Sequence, residues 1–243
     1  MTVSRRAVLV AGAMSPFLCS LAGAAGSLPA GIDAAAKAAL KAGAAPGIQV
    51  AVWRKGKPLF AKSYGFGNME QLSLVTGDSV FRIGSLTKQF VAAAIIRLAA
   101  TGRLKLDDPV ATTLPLMATL KPVTLLELMH HTAGLHFDET AAPDTSAPAK
   151  PKSQVDLAVA IAGQATPFDF EPGTAWRYSN ANYIVLGAVI EAVTGKTLAK
   201  ALDDLIFRPL GLGVTALDAA ASPAHRQVTG YTPHEPPGPA FTP

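Results

Sequence analysis

Apolar side chains recur with two different periods along the first third of the chain. From Ile32 to Ala42 they follow the 3.6-residue period of a helix, and Gly43 supplies a stop signal. Two shorter apolar runs, Ile48 to Trp53 and Leu59 to Tyr64, flank a turn-like segment from Arg54 to Lys57. Short apolar runs joined by such a turn are typical of a β-hairpin. The pattern therefore predicts one helix followed by two antiparallel strands.

The helical period returns at Ser85 and dominates the middle of the chain. Apolar residues from Phe90 to Ala99 fall on one face, and Gly102 ends the run. Further helices are predicted at Thr124 to His130, Gln154 to Ala162, Ala181 to Val193 and Leu198 to Ile206. Thr124 and Glu127 have the spacing of a capping box. The stretch from Ala141 to Lys152, rich in Ala, Pro and Ser, is interpreted as a surface loop.

The first 24 residues have the organisation of an export signal. A basic start through Arg6 precedes an apolar stretch from Ala7 to Leu21, and Ala22-Gly23-Ala24 forms a small-residue cleavage site. Ser4-Arg5-Arg6 is similar to a twin-arginine signal, so that route and ordinary secretion stay open. The apolar stretch is short for a membrane span of roughly 20 residues. We expect a cleaved signal peptide at residues 1–24, no stable membrane anchor, and a periplasmic or secreted protein.

Composition and charge exclude several classes of function. With 49% hydrophobic and 16% charged residues among 243, the chain should be globular rather than disordered. Without Arg5 and Arg6 the formal net charge falls from +4 to +2 and leaves no basic run, so we expect no nucleic-acid partner. The one cysteine, Cys19, lies in the signal, which excludes disulfides and thiolate sites from the mature chain. The five histidines lack metal-ligand spacing, so no metal is expected, and His130 and His131 are interpreted as residues that end a helix, where a cation suits the dipole.

Ser85 and Lys88 stand three residues apart at the start of a predicted helix, so their side chains would share a face. A serine hydroxyl becomes a good nucleophile when a neighbouring base takes its proton, and a lysine amine can be that base. If Ser85 opens the helix, the free N–H groups there would also stabilise negative charge on an attacked carbonyl. Ser-x-x-Lys alone is a weak signal, because so short a pattern arises readily by chance.

Tyr178-Ser179-Asn180 is a rarer pattern, since the chain has only four tyrosines. By itself it also fits a turn tyrosine followed by a helix-capping asparagine. Four segments occur in order: Phe81 to Phe90 (FRIGSLTKQF), Gly102 to Pro109 (GRLKLDDP), Leu125 to Leu135 (LLELMHHTAGL) and Pro172 to Asn180 (PGTAWRYSN). In this order and spacing they resemble the class C β-lactamase and D,D-peptidase family of serine hydrolases, over about Pro46 to Tyr231.

The resemblance implies a fold, a reaction and a set of site residues. The fold would be α/β, of the α+β type, with an antiparallel sheet flanked by helices and a mainly helical subdomain. Ser85 would be the nucleophile and Lys88 its proton acceptor, while Tyr178 would work with Lys88 to carry the proton to the leaving group. Asn180 would hold the substrate amide or tune Lys88. The product of attack would be an acyl-enzyme on Ser85, released by water without a cofactor.

One element of that family is not found. Its third motif, a Lys-Thr-Gly or His-x-Gly strand, is expected after Tyr231, where the sequence contains neither. Gly195-Lys196-Thr197 falls in a turn between two predicted helices and continues with Leu198, so it does not replace that strand. It also lacks the earlier glycine of a phosphate-binding loop, which excludes nucleotide binding. We therefore interpret the chain as C-terminally truncated, with sheet strands missing.

The resulting domain organisation is a signal peptide at residues 1–24 and a partial serine hydrolase domain at residues 25–243. Within it, residues 25–67 would form the first helix and strands, residues 68–231 the mainly helical part with the motifs, and residues 232–243 a proline-rich irregular end. Two functions stay open: an enzyme acting on a small-molecule or peptidoglycan-derived substrate (a β-lactam, a D-Ala-type peptide or an ester), and a truncated, catalytically inactive member. The sequence contains no signal for an oligomeric state.

Overall fold

The computed structural model describes residues 28–136, 153–217, 226–233 and 241–242. The expected signal peptide, Cys19 and the expected loop at 141–152 lie outside the described residues. The described helices are α1 (Leu28–Lys41), α2 (Thr87–Ala100), α3 (Leu125–His130), α4 (Gln154–Ala162), α5 (Asn180–Thr194) and α6 (Leu198–Leu202). The described strands are β1 (Gly47–Arg54), β2 (Lys57–Asn68), β3 (Ser73–Leu74), β4 (Thr232–Pro233) and β5 (Phe241–Thr242).

The chain divides into two compact units. The sheet unit comprises Met1–Phe81 and Arg226–Pro243, and the helical unit comprises Arg82–His225. An antiparallel sheet combined with a mainly helical region is the expected fold class. In the part of the chain that the structure describes, no helix is long and apolar enough to cross a membrane.

The predicted hairpin is confirmed in the sheet unit, where the strand order is β1-β2-β3 and both pairings are antiparallel. Its turn, Lys55-Gly56, has positive φ at both residues (51° and 74°), the conformation that matches the twist of two adjoining strands. Further along β2, Gly65 has φ +68°, and a Cβ at this position would clash with the carbonyl oxygen of Pro46. Only glycine fits there, because both the backbone conformation and the close approach exclude a side chain.

Helix α1 is attached to β2 through one carboxylate. Asp33 accepts hydrogen bonds from Lys62 Nζ at 2.6 Å and Tyr64 Oη at 2.9 Å, and it pairs with Lys37 at 2.7 Å. Lys37, followed by Lys62 and Tyr64, lowers the pKa of the Asp33 carboxyl well below its ordinary range. The carboxyl therefore stays ionised, and the attachment stays intact, at any pH above its ordinary pKa.

Residues 226–231 belong to the sheet unit. Val80 exchanges two backbone hydrogen bonds with this segment: its N–H donates to Arg226 O at 2.7 Å, and its carbonyl oxygen accepts from Val228 N–H at 3.1 Å. Thr229 N–H donates to Gly67 O at 2.8 Å, beside β2. Beyond this segment we expected an irregular end from 232, whereas β4 and β5 form a short antiparallel pair there.

Helix α5 lies at the centre of the helical unit, in contact with α2, α3, α4 and α6. It is buried on nearly all sides, which explains why its sequence is apolar without a clear amphipathic stripe. The predicted helices at 124, 154 and 181 are confirmed, including the capping box of Thr124 and Glu127. The helix predicted from Leu198 to Ile206 is confirmed in its extent, but its winding changes: α6 ends at Leu202 and a π-helical turn, Asp203–Phe207, follows.

One carboxylate on α5 caps two other helices. Glu191 Oε2 accepts a hydrogen bond from Gln154 N–H, the first residue of α4, at 3.0 Å, and its Oε1 accepts from Leu198 N–H, the first residue of α6, at 2.9 Å. The first N–H groups of a helix have no partner within it, so an acceptor from elsewhere satisfies them. Glu191 thus links the start of two helices to the central one.

We expect Glu191→Gln to lower the free energy of unfolding by about 1–3 kcal/mol, because the amide retains one acceptor oxygen and turns N–H groups toward the other helix start. Urea unfolding followed by circular dichroism measures the change. Glu171→Gln is the matched control, since Glu171 makes an exposed ion pair with Lys121 and should change stability by less than about 1 kcal/mol. Equal effects of the two substitutions would contradict the capping role.

Candidate active site

Ser85 and Lys88 are placed by the start of α2. Ser85 lies in a single 3-10 turn, Gly84–Leu86, that leads directly into α2, and Lys88 lies in the first turn of that helix. The helical period that begins at Ser85 in the sequence thus starts with a 3-10 turn, and the α-helix itself begins two residues later, at Thr87. The consequence for the side chains is the expected one: Lys88 Nζ donates a hydrogen bond to Ser85 Oγ at 3.2 Å. Ser85 is exposed and Lys88 is half-buried.

Tyr178 and Asn180 join this pair from the start of α5. Tyr178 Oη lies 2.7 Å from Ser85 Oγ. Asn180 Oδ1 accepts a hydrogen bond from Lys88 Nζ at 2.9 Å and a longer one from Tyr178 Oη at 3.4 Å. The structure therefore brings together all four residues that the sequence singles out, in one hydrogen-bonded cluster.

The short contact between Ser85 Oγ and Tyr178 Oη joins two hydroxyl groups, and either of them can be the donor. Lys88 Nζ donates to the same serine oxygen, and Tyr178 Oη also reaches Asn180 Oδ1 through the longer bond. The arrangement therefore allows a proton to pass between the serine and the phenol, with the lysine amine against the serine oxygen.

Two loops are paired by backbone hydrogen bonds, and Tyr178 directly follows one of them. The first loop, residues 131–136, follows α3, and the second, residues 167–177, precedes Tyr178. Four backbone hydrogen bonds join them: His136 N–H to Pro167 O at 2.7 Å, Asp169 N–H to Gly134 O at 2.8 Å, Gly173 N–H to Thr132 O at 2.9 Å and Arg177 N–H to His131 O at 3.1 Å. We call this pairing the loop ladder. It fixes the backbone immediately before Tyr178.

His131 contacts the cluster and was not among the residues that the sequence singled out. It follows α3 in the left-handed conformation, with φ 60°. Its Nδ1 accepts a hydrogen bond from Ser179 N–H at 3.3 Å and lies 3.0 Å from Asn182 Nδ2. Its ring centroid lies 4.7 Å from that of Tyr178 and 5.2 Å from that of Tyr183.

Burial, together with the charge of Lys88, lowers the pKa of His131. We expected His130 and His131 to end a helix as cations favoured by the dipole. His130 does end α3 and is exposed, whereas His131 is partly buried and its lowered pKa disfavours the charged form. The sequence does hold a signal for this difference, because His131 continues the interval of three that separates Leu125 and Leu128, the buried residues of α3.

No three His, Cys, Asp or Glu side chains cluster closely enough to hold a metal ion within the described ranges, 28–136, 153–217, 226–233 and 241–242. The four side chains of the cluster instead supply a hydroxyl, an amine, a phenol and an amide. These groups exchange protons and hydrogen bonds and suit nucleophilic attack by an oxygen.

A serine, a lysine and a tyrosine that share hydrogen bonds at the start of a helix, in a chain with an antiparallel hairpin, define the class of β-lactamase and transpeptidase-like proteins. Residues 32–243 match the family model described as Beta-lactamase. The chain belongs to that family, and the expected fold class is confirmed.

Individual relatives agree with this assignment. The chain is similar to esterase EstB of Burkholderia gladioli, with 35% identity over 84% of this chain and 55% of the esterase. Among solved structures, it is similar to the D-amino acid amidase of Ochrobactrum anthropi SV3, with 26% identity, a TM-score of 0.68, and coverage of 87% of this chain and 61% of the amidase. An octameric penicillin-binding protein homologue from Pyrococcus abyssi shares the fold, at 24% identity, a TM-score of 0.70, and coverage of 84% and 48%. The chain spans about half the length of the curated relatives it matches.

The loop ladder leads to a prediction about Gly134, which has φ +75° and packs so that a Cβ would clash with the carbonyl oxygen of Phe170. We expect Gly134→Ala to lower the free energy of unfolding by on the order of 2 kcal/mol or more, and to weaken any reaction at Ser85, because both the conformation and the contact must change. Thermal and urea unfolding measure the first effect.

Gly195→Ala is the matched control. Gly195 also has positive φ, 67°, but a Cβ there meets no atom within 4 Å. In this variant the free energy of unfolding should fall by only about 1 kcal/mol, the cost of the left-handed backbone conformation for alanine. If the two alanine variants are equally stable, the close approach to Phe170 does not hold the ladder.

Proposed function

We propose that this protein is an exported serine hydrolase that forms an acyl-enzyme on Ser85, with carboxylic esters as its first substrate class. The observation that carries the proposal is the position of Ser85 Oγ, 2.7 Å from Tyr178 Oη and 3.2 Å from Lys88 Nζ. A nucleophile within hydrogen-bond reach of its proton acceptor is the geometric requirement for this type of catalysis.

The proposed reaction has two steps. Ser85 Oγ attacks the substrate carbonyl carbon while its proton passes to the Lys88 and Tyr178 pair. The tetrahedral intermediate then expels the alkoxide, which takes a proton from Tyr178 and leaves as an alcohol. The acyl group stays on Ser85 until water attacks the new ester, which releases the acid and returns the proton to the serine. Asn180 keeps Lys88 in place through its 2.9 Å hydrogen bond.

Two observations support esters over amides as the first class to test. Esterase EstB is the relative at 35% identity, and its name gives ester hydrolysis as its activity. Beside the site residues in sequence stand two strongly exposed apolar side chains, Leu86 (61% exposed) and Trp176 (65% exposed). Such side chains suit the hydrocarbon parts of a small ester. β-Lactams and D-Ala-type peptides need the same three groups and are the second and third substrate classes.

The proposal predicts that the purified chain hydrolyses p-nitrophenyl acetate or butyrate and gains the mass of one acyl group on Ser85. Ser85→Ala should abolish both, and Tyr178→Phe should slow acylation by about 100- to 10,000-fold, the usual contribution of a general acid–base group. Stopped-flow release of p-nitrophenol and intact-mass spectrometry measure the two effects. Ser73→Ala, at an exposed serine in β3, is the control and should match the parent chain.

Benzylpenicillin and a D-Ala-D-Ala peptide, tested in parallel, separate the substrate classes. An adduct with penicillin alone would replace the ester by a β-lactam as substrate. If a cooperatively folded chain gains no adduct from any of the three, the second hypothesis, a catalytically inactive member, becomes the better one.

Export is the second part of the proposal and rests on the basic, apolar and small-residue order of residues 1–24. In a Gram-negative host we expect the periplasmic fraction to contain a protein with the mass of residues 25–243. The double variant Arg5→Lys, Arg6→Lys should block export only if the twin-arginine route is used. Arg54→Lys is the control. A full-length chain retained in the cytosol would contradict export.

A further inference from the structure

We propose that His131 is a positioning residue: as a neutral imidazole with its proton on Nε2, it holds Tyr178 against Ser85, and its protonation releases Tyr178. This inference rests on the proposed function, because it concerns the same site. It assigns a role to a residue outside the serine, lysine, tyrosine and asparagine cluster.

The tautomer of His131 is set by a neighbouring backbone N–H, which can donate a hydrogen bond but cannot accept one. Ser179 N–H points at His131 Nδ1 from 3.3 Å, and a backbone N–H only donates. Nδ1 must therefore be an acceptor, and the ring proton of the neutral form sits on Nε2. Asn182 Nδ2, at 3.0 Å from the same atom, is then a second donor to Nδ1.

Asn182 is the second polar group that contacts His131 Nδ1, and the orientation of its amide is tied to the tautomer of the ring. The residue is 1% exposed, and its Oδ1 is the buried side-chain atom left without a hydrogen-bond partner among the described residues. An unsatisfied buried oxygen costs about 1–3 kcal/mol. Turning the amide so that Oδ1 faces Nδ1 would satisfy a protonated ring, but Ser179 N–H would still oppose it. A proton on Nδ1 therefore cannot be accommodated without moving the backbone at 179.

That backbone is directly coupled to Tyr178. Ser179 is the next residue and caps α5, its Oγ accepting from Ala181 N–H at 3.2 Å. On the other side, Arg177 N–H donates to His131 O at 3.1 Å. The imidazole also packs on the phenol ring, at 4.7 Å between centroids with planes 32° apart. His131 thus acts on Tyr178 in three ways: through Arg177 before it, through Ser179 after it, and by packing on the phenol ring.

The charges around His131 make protonation costly at neutral pH. The titratable groups that face it are Lys88 on α2, Tyr178 at the start of α5, and Tyr183 on α5. Lys88 Nζ lies 4.8 Å from the Tyr178 ring centroid and 5.7 Å from that of Tyr183, so a charged imidazole would place two cations on the same pair of rings. Burial is the larger cause that lowers the pKa of His131, and the charge of Lys88 adds to it.

Protonation of His131 should lower the stability of the folded chain on the acid side of neutral pH. The pKa of His131 in the folded chain lies below the ordinary value of 6.5, so the unfolded chain binds more protons between the two values. The stability gained by keeping the ring neutral is fully present above pH 6.5 and is lost progressively as the pH falls below it. The hold on Tyr178 should fail at the acid end of this range, where the ring in the folded chain takes up its proton.

The test is kcat and KM for p-nitrophenyl butyrate against pH in the full chain and its variants. His131→Asn suits the left-handed backbone, and its Oδ1 replaces Nδ1 as the acceptor, so the fold should persist while the ring and its titration disappear. We expect kcat to fall on the order of 10-fold at pH 8 with KM little changed, and the acid loss of kcat to become shallower. His131→Phe keeps a ring without an acceptor, and its kcat should fall on the order of 100-fold.

His130→Asn is the matched control, because His130 is exposed at the end of the same helix, and its pH profile should equal that of the parent. The proposal is overturned if His131→Asn keeps the parental acid loss of kcat, or if the phenylalanine variant folds and is as active as the asparagine variant.

Nitrogen-15 NMR of the histidine rings keeps this test separate from the proposed function. We expect an unprotonated Nδ1 and a protonated Nε2 for His131 at pH 7.5, with the signal assigned by its loss in His131→Asn. If the parent chain shows this tautomer but forms no acyl-enzyme, the proposed function fails and the assignment of His131 as a neutral acceptor stands. A protonated Nδ1 at pH 7.5 would overturn the assignment whatever the activity.

Discussion

The arrangement of the candidate site depends on the loop ladder between residues 131–136 and 167–177. Tyr178 is 45% exposed and stands just before a helix, so side-chain burial alone does not fix its phenol. Four backbone hydrogen bonds replace that burial, and the last of them, from Arg177 N–H to His131 O, ends one residue before the tyrosine. Loops carry function when a rigid scaffold positions them, and here the scaffold is the loop of residues 131–136, which follows α3.

Helix α5 supplies the other half of the constraint. Asn180 at its first residue bonds Lys88, Asn182 two residues further on contacts His131, and Glu191 near its end caps α4 and α6. A helix buried on nearly all sides can serve as such a centre because its position is set by packing with four neighbours. Displacement of α5 would therefore disturb the site and the helix packing together.

Local chemistry in the sequence was enough to predict the hairpin and most of the helices. Lys55-Gly56 sets the turn by its own conformation, and Thr124 with Glu127 sets a helix start by reciprocal hydrogen bonds. The π-helical turn at Asp203–Phe207 was not predictable, because its residues continue the helical spacing of α6 and no local signal distinguishes the two windings. The pairing of residues 226–231 beside β2 joins segments about 160 residues apart, which local patterns do not specify.

The site could be predicted as a set of residues but not as a set of contacts. Spacing in the sequence put Ser85 and Lys88 together, whereas their meeting with Tyr178 and Asn180 came from a family resemblance rather than from periodicity. His131 shows the limit most clearly: its spacing from Leu125 and Leu128 distinguishes it from His130, but no local pattern specifies its contact with Ser179. The left-handed turn at the end of α3 directs His131 toward Ser179 and leaves His130 in solvent.

The charge arrangement at the site follows from the same contacts. A cluster that already holds the Lys88 ammonium over two phenol rings favours a neighbour that is neutral and accepts hydrogen bonds through one nitrogen. Histidine meets both conditions and is also among the residues that tolerate a left-handed backbone. A lysine or arginine at 131 would add a second cation without an acceptor, and a carboxylate would accept the two N–H groups but bring a full negative charge beside Lys88. Only a neutral acceptor leaves Lys88 paired with Ser85 and Asn180, so the identity of residue 131 and the geometry of the serine are set by one electrostatic requirement.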